Sequence, residues 1–135
     1  IVNIVEELGC VGKFTSAKFL EIEKVLKKGN IAVISPVGKN ESGQILNFNA
    51  DEVAGGIAAQ VKAKKLIFFT DVPGVLDDKE KTIAVIKIGN IKKLMDRKII
   101  TGGMIPKIMG CVQAIKKGVG EVDILDVNLD GTKIL

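Results

Sequence analysis

Two short, unbroken apolar runs, Ile31-Ala32-Val33-Ile34 and Leu66-Ile67-Phe68-Phe69, constrain this chain more than any other feature, and Val122 to Val127 adds a third that carries Asp123 and Asp126. Runs this short and without polar alternation read as strands covered on both faces, the habit of a parallel sheet. Helical patterns lie between them. Residues 17–28 set Phe19, Leu20, Ile22, Val25 and Leu26 on one stripe, with Thr15 or Ser16 to cap the start and Gly29 to close the end. Residues 51–62 read as a helix of small residues, 91–98 as a short helix on Ile91, Leu94 and Met95, and a last helix reaches about Lys117 with Ile108, Cys111, Val112 and Ile115 inward. Ile1 to Leu8 suggests a hairpin or strand remnant before the turn Gly9-Cys10-Val11-Gly12, residues 83–88 a strand or extended arm, and residues 131–135 a closing strand. Strands alternating with helices predict a single α/β domain over residues 1–135 with a mostly parallel sheet.

Composition removes several classes of function. The chain of 135 residues has no histidine, which excludes Ser-His-Asp and Cys-His catalysis, and its two cysteines, Cys10 and Cys111, have no CxxC spacing and no histidine with which to hold zinc. They read as reduced core residues of a chain in a cytoplasmic or organelle-stroma compartment. The net charge of +4 comes almost wholly from lysine, in pairs spread along the chain, and there is no Trp or Tyr on which bases could stack, so no nucleic-acid partner is expected. No apolar run approaches the roughly 20 residues that cross a bilayer, so no membrane partner is expected either. A mildly positive field still favours a phosphate-bearing ligand.

The remaining chemistry rests on Asp, Lys, amides and backbone N–H groups. Asn47, Asn49 and Asp51 fall at alternate positions where an extended segment runs into a helix, so one cleft can receive all three. Either Asn49 or Asp51 can equally cap that helix. The loop Thr70-Asp71-Val72-Pro73-Gly74-Val75-Leu76 leaves the carboxyl end of an expected strand, where ligands of open α/β sheets bind. Ile99-Ile100-Thr101-Gly102-Gly103-Met104 leads into a helix start, where exposed N–H groups suit a phosphate and Lys107 adds a full charge. Phosphoryl transfer asks mainly for positioned cations and donors, which this set supplies. Neither GxxxxGK[ST] nor GxGxxG is present, so a P-loop and a dinucleotide fold are not supported.

Taken together, Val33 to Gly38, Asn47 to Ala58, Leu66 to Leu76, Gly102 to Lys107 and Gly131 to Leu135 resemble the carboxyl-terminal, nucleotide-binding part of the amino-acid kinase family, most closely its acetylglutamate kinase branch. The resemblance implies a three-layer αβα sandwich and transfer of the ATP γ-phosphoryl to the side-chain carboxylate of N-acetyl-L-glutamate, a step of arginine biosynthesis, with Mg²⁺ carried on the nucleotide and no metal site of the protein's own. It implies Asp51 and Lys107 as catalytic residues, Asn47 and Asn49 beside the acyl-amino-acid substrate, and Thr70 to Leu76 with Ile99 to Met104 around the nucleotide. The family's amino-terminal half, with its glycine-rich loop, second lysine and substrate-gripping arginine, has no counterpart, and Asn128-Leu129-Asp130 stands where the family has a longer segment. The expectation is a truncated form that keeps the nucleotide site and forms homo-oligomers. The alternative is a non-catalytic binding or scaffold module that self-associates or completes its sheet with another chain.

Overall fold

The computed structural model describes residues 9–135, so the hairpin or strand remnant expected over Ile1–Leu8 lies outside the described residues. The chain is α/β, with a two-stranded sheet and a larger mixed sheet in which two of three pairings are parallel. Two compact units divide it, Ile1–Val61 and Lys62–Leu135.

In the first unit, helix α1 spans Phe19–Lys27. Neither Thr15 nor Ser16 caps it, because the Gln60 side chain holds the backbone of Ala17, accepting its N–H at 3.1 Å and donating to its carbonyl at 3.0 Å, and the helix begins beyond that clamp. Its end follows expectation. Gly29 adopts φ +76°, its N–H reaches the Leu26 carbonyl, and the Asn30 N–H reaches that of Val25, which together satisfy the last orphan carbonyls. The apolar stripe of α1 is left without a fully buried residue. The strand expected at Ile31–Ile34 is absent: the segment has no strand partner among the described residues, and Ile31 and Val33 are 88% and 94% exposed. An apolar run becomes a strand only where a neighbouring backbone can take its N–H and C=O groups. A hairpin follows instead, with β1 (Val37–Lys39) antiparallel to β2 (Ile45–Asn47) around the polar residues Asn40-Glu41-Ser42-Gly43, a composition that marks a turn, where Asn40 Oδ1 accepts from the Gln44 N–H and the Ser42 hydroxyl. Helix α2 spans Ala50–Gln60, and the unit's core is Leu46, Phe48 and Val53 with Phe14 and Ile57 against them. A methyl group on Gly56 would collide with the Phe14 ring, so the thin surface of α2 serves this close packing.

The second unit holds the larger sheet, in the order β3 (Lys65–Phe69), β5 (Glu121–Leu125), β6 (Gly131–Ile134), β4 (Val85–Ile86). β3 and β5 run parallel, β5 and β6 form an antiparallel hairpin, and β6 and β4 run parallel. The residues Asp126 to Asp130 make the hairpin turn, with Asp126 Oδ1 accepting from the N–H groups of Asn128 and Asp130 at 2.8 and 3.0 Å. One face of the sheet carries Phe68, Ile86, Val122, Ile124, Thr132 and Ile134, all buried. The other leaves Ile67 and Phe69 exposed, so β3 is covered on one face, not the two its unbroken run suggested. Of the arm at residues 83–88 only Val85–Ile86 is strand, and Ile88 already opens helix α3 (Ile88–Asp96), three residues earlier than its pattern predicted. Lys98, at φ +59°, ends α3 as Gly29 ends α1, with N–H bonds from Lys98 to Met95 and from Ile99 to Leu94. Helix α4 spans Met104–Lys116 and buries Ile108, Cys111, Val112 and Ala114.

Candidate functional site

The stretch Asn47 to Asp51 resolves into three different backbone situations. Asn47 ends β2, and its backbone also bridges the segment before it, donating to the Cys10 carbonyl at 2.8 Å and accepting from the Gly12 N–H at 2.9 Å. Asn49 is the residue that caps α2: its Oδ1 accepts from the Glu52 N–H at 3.0 Å. Asp51 is the second residue of the helix, half-buried, so the alternate-face argument that joined it to Asn47 and Asn49 ends at Asn49, where the backbone turns helical. A carboxylate in the first turn still gains from the helix dipole.

In the second unit the loop Thr70–Leu76 leaves the shared carboxyl end of the parallel pair β3 and β5, where the Thr70 N–H donates to the Leu125 carbonyl at 2.9 Å. Asp71 and Val72 are exposed, Val75 is buried, and the Gly74 N–H returns to the Val72 carbonyl at 2.7 Å across Pro73. Leu76 bridges to Thr82, and Asp77 closes the following turn by accepting the N–H groups of Lys79 and Lys81 at 2.8 and 3.0 Å. Those backbone bonds hold the Asp77 carboxyl below the usual carboxylate range.

Ile99 to Met104 forms the turn between α3 and α4. Ile100 is an anchor within the core at 1% exposure, and Thr101, Gly102 and Gly103 are exposed. The Met104 and Ile105 N–H groups are engaged by the Thr101 and Gly102 carbonyls at 3.1 and 3.2 Å, and Pro106 has none. Among the described residues the N–H groups of Thr101, Gly102 and Gly103 have no backbone acceptor, so the glycine pair keeps the donors its place before a helix suggested. Lys107, one turn in, places its Nζ 5.2 Å from the centroid of the Phe68 ring, which brings the charge to the carboxyl end of β3 beside the loop Thr70–Leu76. Phe68 was not legible as part of a site, since its pattern gives only a buried strand residue.

A second set of charges lies at the other end of the sheet. Lys65 contacts Glu121 at 2.6 Å and Asp123 at 3.0 Å, and Lys133 contacts Glu121 at 2.9 Å. The Lys65 pKa is raised by hydrogen bonds to Glu121 and then Asp123, and that of Glu121 is lowered by Lys65 and then Lys133. Asp123 is buried, and its Oδ1 has no hydrogen-bond partner among the described residues. These side chains tie β3, β5 and β6 together toward the amino end of the parallel pair β3 and β5. In the first unit a cleft of about 460 Å³ opens between Phe14, Lys18, Pro36, Lys39, Phe48 and Ile57.

The sequence profile described as the amino acid kinase family matches residues 4–126. The chain belongs to the amino acid kinase family. It is 44% identical over 132 residues to an acetylglutamate kinase of Methanosphaera stadtmanae, covering 96% of this chain and 44% of that protein. It is 47% identical over 123 residues to an acetylglutamate kinase of Methanobrevibacter smithii, covering 89% and 42%. Among solved structures, smu.665 from Streptococcus mutans UA159 superposes with a TM-score of 0.88 at 34% identity, over 98% of this chain and 55% of that one. The chain thus spans under half the length of these two curated relatives. None of the helices in the described residues is long and apolar enough to cross a membrane.

Proposed function

We propose that this chain carries the nucleotide-binding part of an acetylglutamate kinase-like phosphotransferase and binds ATP with Mg²⁺. The observation that carries the reading is Lys107, held over Phe68 at the carboxyl end of β3 next to the loop Thr70–Leu76. A cation there meets the phosphates of a nucleotide whose remainder lies along Thr70 to Leu76 and Ile99 to Met104. Mg²⁺ travels on the phosphates, because hard divalent cations in phosphoryl transfer take much of their coordination from the substrate. Within the second unit Lys107 offsets charge on the moving phosphoryl; within the first unit Asp51 is the proposed catalytic carboxylate, and Asn47 and Asn49 are the proposed contacts of an acyl-amino-acid acceptor, N-acetyl-L-glutamate. Asn49 can do so only with what its capping bond to Glu52 leaves over. The names of the curated relatives support this acceptor, and with it a place in arginine biosynthesis and a cytoplasmic or stromal setting.

The test is thermal unfolding with and without MgADP. A ligand that binds only the folded chain at about a hundred times its Kd adds about 2.7 kcal/mol, equivalent to a rise of about 10 °C in Tm for a chain of this size. Lys107→Met reduces that rise, and an unchanged Tm at millimolar MgADP contradicts the reading. A second reading has its own observation, the exposed apolar run Ile31–Ile34 without a strand partner among the described residues. In it the chain is a non-catalytic module that self-associates, as a homo-oligomer, or completes its sheet with another chain. A single monomer boundary in sedimentation velocity over a hundredfold range of concentration contradicts it.

A further inference from the structure

We propose that Thr132 is a positioning residue for the loop Thr70–Leu76 and sets the shape in which that loop meets a nucleotide; the nucleotide half of this inference rests on the reading above.

Thr132 is fully buried near the start of β6, opposite Ile124 and at the end of the sheet from which the loop departs. Its Oγ1 accepts the Val75 N–H at 2.8 Å, a bond between residues 57 apart in sequence. The Val75 carbonyl in turn accepts the Ile83 N–H at 2.8 Å, so the peptides on both sides of Val75 are held. Gly74 makes this approach sterically feasible. It sits at φ +85°, and a Cβ there would lie 2.5 Å from Thr132 Oγ1 and 2.7 Å from its backbone N. Any other residue would push the loop off the strand. At the loop's other end the Thr70 N–H is fixed to the Leu125 carbonyl at 2.9 Å. The stretch Asp71-Val72-Pro73, exposed at Asp71 and Val72, is therefore strung between two points, Leu125 and Thr132, that both belong to the β5–β6 hairpin.

The hydroxyl, not the volume of the side chain, is what the site uses. Valine has nearly the same shape as threonine but no acceptor, and would leave the Val75 N–H buried and unpaired. The cheapest relief is movement of the loop, since the hairpin is fixed by its own ladder. Serine keeps the acceptor.

The experiment measures amide exchange at Val75, with Ile124 as an internal reference for global opening, and the Kd for MgADP, in the wild-type chain, Thr132→Val and Thr132→Ser. The expected result is Val75 exchange about tenfold faster relative to Ile124 in Thr132→Val, with MgADP binding about tenfold weaker, and Thr132→Ser close to wild type in both. An unchanged Val75-to-Ile124 ratio in Thr132→Val overturns the clamp. A faster Val75 with unchanged MgADP affinity overturns its consequence for the nucleotide. A wild-type chain that does not bind MgADP, with Val75 still released by Thr132→Val, overturns the nucleotide reading and leaves the clamp standing.

Discussion

The two units of the chain contain apolar runs of the same kind and treat them in opposite ways. In the carboxyl-terminal unit Leu66–Phe69 finds Glu121–Leu125 as a parallel neighbour, and half of its side chains go into a core with Val122, Ile124 and Ile134, each 0% exposed. In the amino-terminal unit Ile31–Ile34 finds no pairing among the described residues, the stripe of α1 leaves Leu20 and Leu26 exposed, and the core is the small group around Leu46, Phe48 and Val53. An apolar run specifies burial only in proportion to the neighbours available to bury it. The carboxyl-terminal unit is therefore expected to carry most of the stability of the chain, and it also holds both segments proposed to meet the nucleotide.

Core truncation gives the largest expected contrast. Ile124→Ala, at a fully buried position in the centre of the sheet, should cost about 3–4 kcal/mol in urea unfolding, and Val33→Ala, at a 94% exposed one, less than about 0.5. A cost at Val33 approaching that at Ile124 breaks the comparison, because the run would then be buried in solution.

A smaller effect should appear with pH. Glu121 has its carboxyl pKa lowered by Lys65 and then Lys133. A lowered folded pKa contributes stability that is fully present above the unfolded value, about 4.3, and is lost as pH falls through the folded value. Glu121→Gln should therefore be less stable than wild type at neutral pH and approach it in acid, read from urea midpoints across the range. Parallel curves would remove the ion pairs from the account of the second unit. Lys65, with its pKa raised, works in the opposite sense: its contribution is present below the unfolded lysine value and lost as pH rises through the folded one.

The smallest test belongs to the first unit. Asn49→Ala removes the capping bond to Glu52 and should cost about 1 kcal/mol, while Asn49→Asp stays near wild type. Equal losses in both would mean that the amide is valued for something other than its acceptor.

Much of this arrangement was legible in the sequence. Helix positions followed from periodicity and stop signals, as at Gly29, and the polar turn Lys39 to Gly43 was marked by its residue types. The closing strand was anticipated in Gly131 to Leu135, but not its antiparallel pairing with β5. Pairing was not legible, because whether Ile31–Ile34 or Val37–Lys39 becomes a strand is decided by partners distant in sequence. The start of α1 was missed for the same reason: Gln60 grips Ala17 from 43 residues away. At the candidate site the residue types identified Lys107 and the loop, but not Phe68 beneath the lysine or Thr132 behind the loop, whose roles exist only as contacts.

The central claim is that the nucleotide is held by the carboxyl-terminal unit through Thr70 to Leu76 and Ile99 to Lys107. Titration of MgADP into the isotopically labelled chain, followed by amide chemical shifts, tests it directly. The account predicts saturable shifts concentrated in those two segments, with Val33 and its neighbours unmoved. Shifts confined to the cleft around Phe14, Pro36 and Phe48, or no shifts at millimolar MgADP, would contradict it.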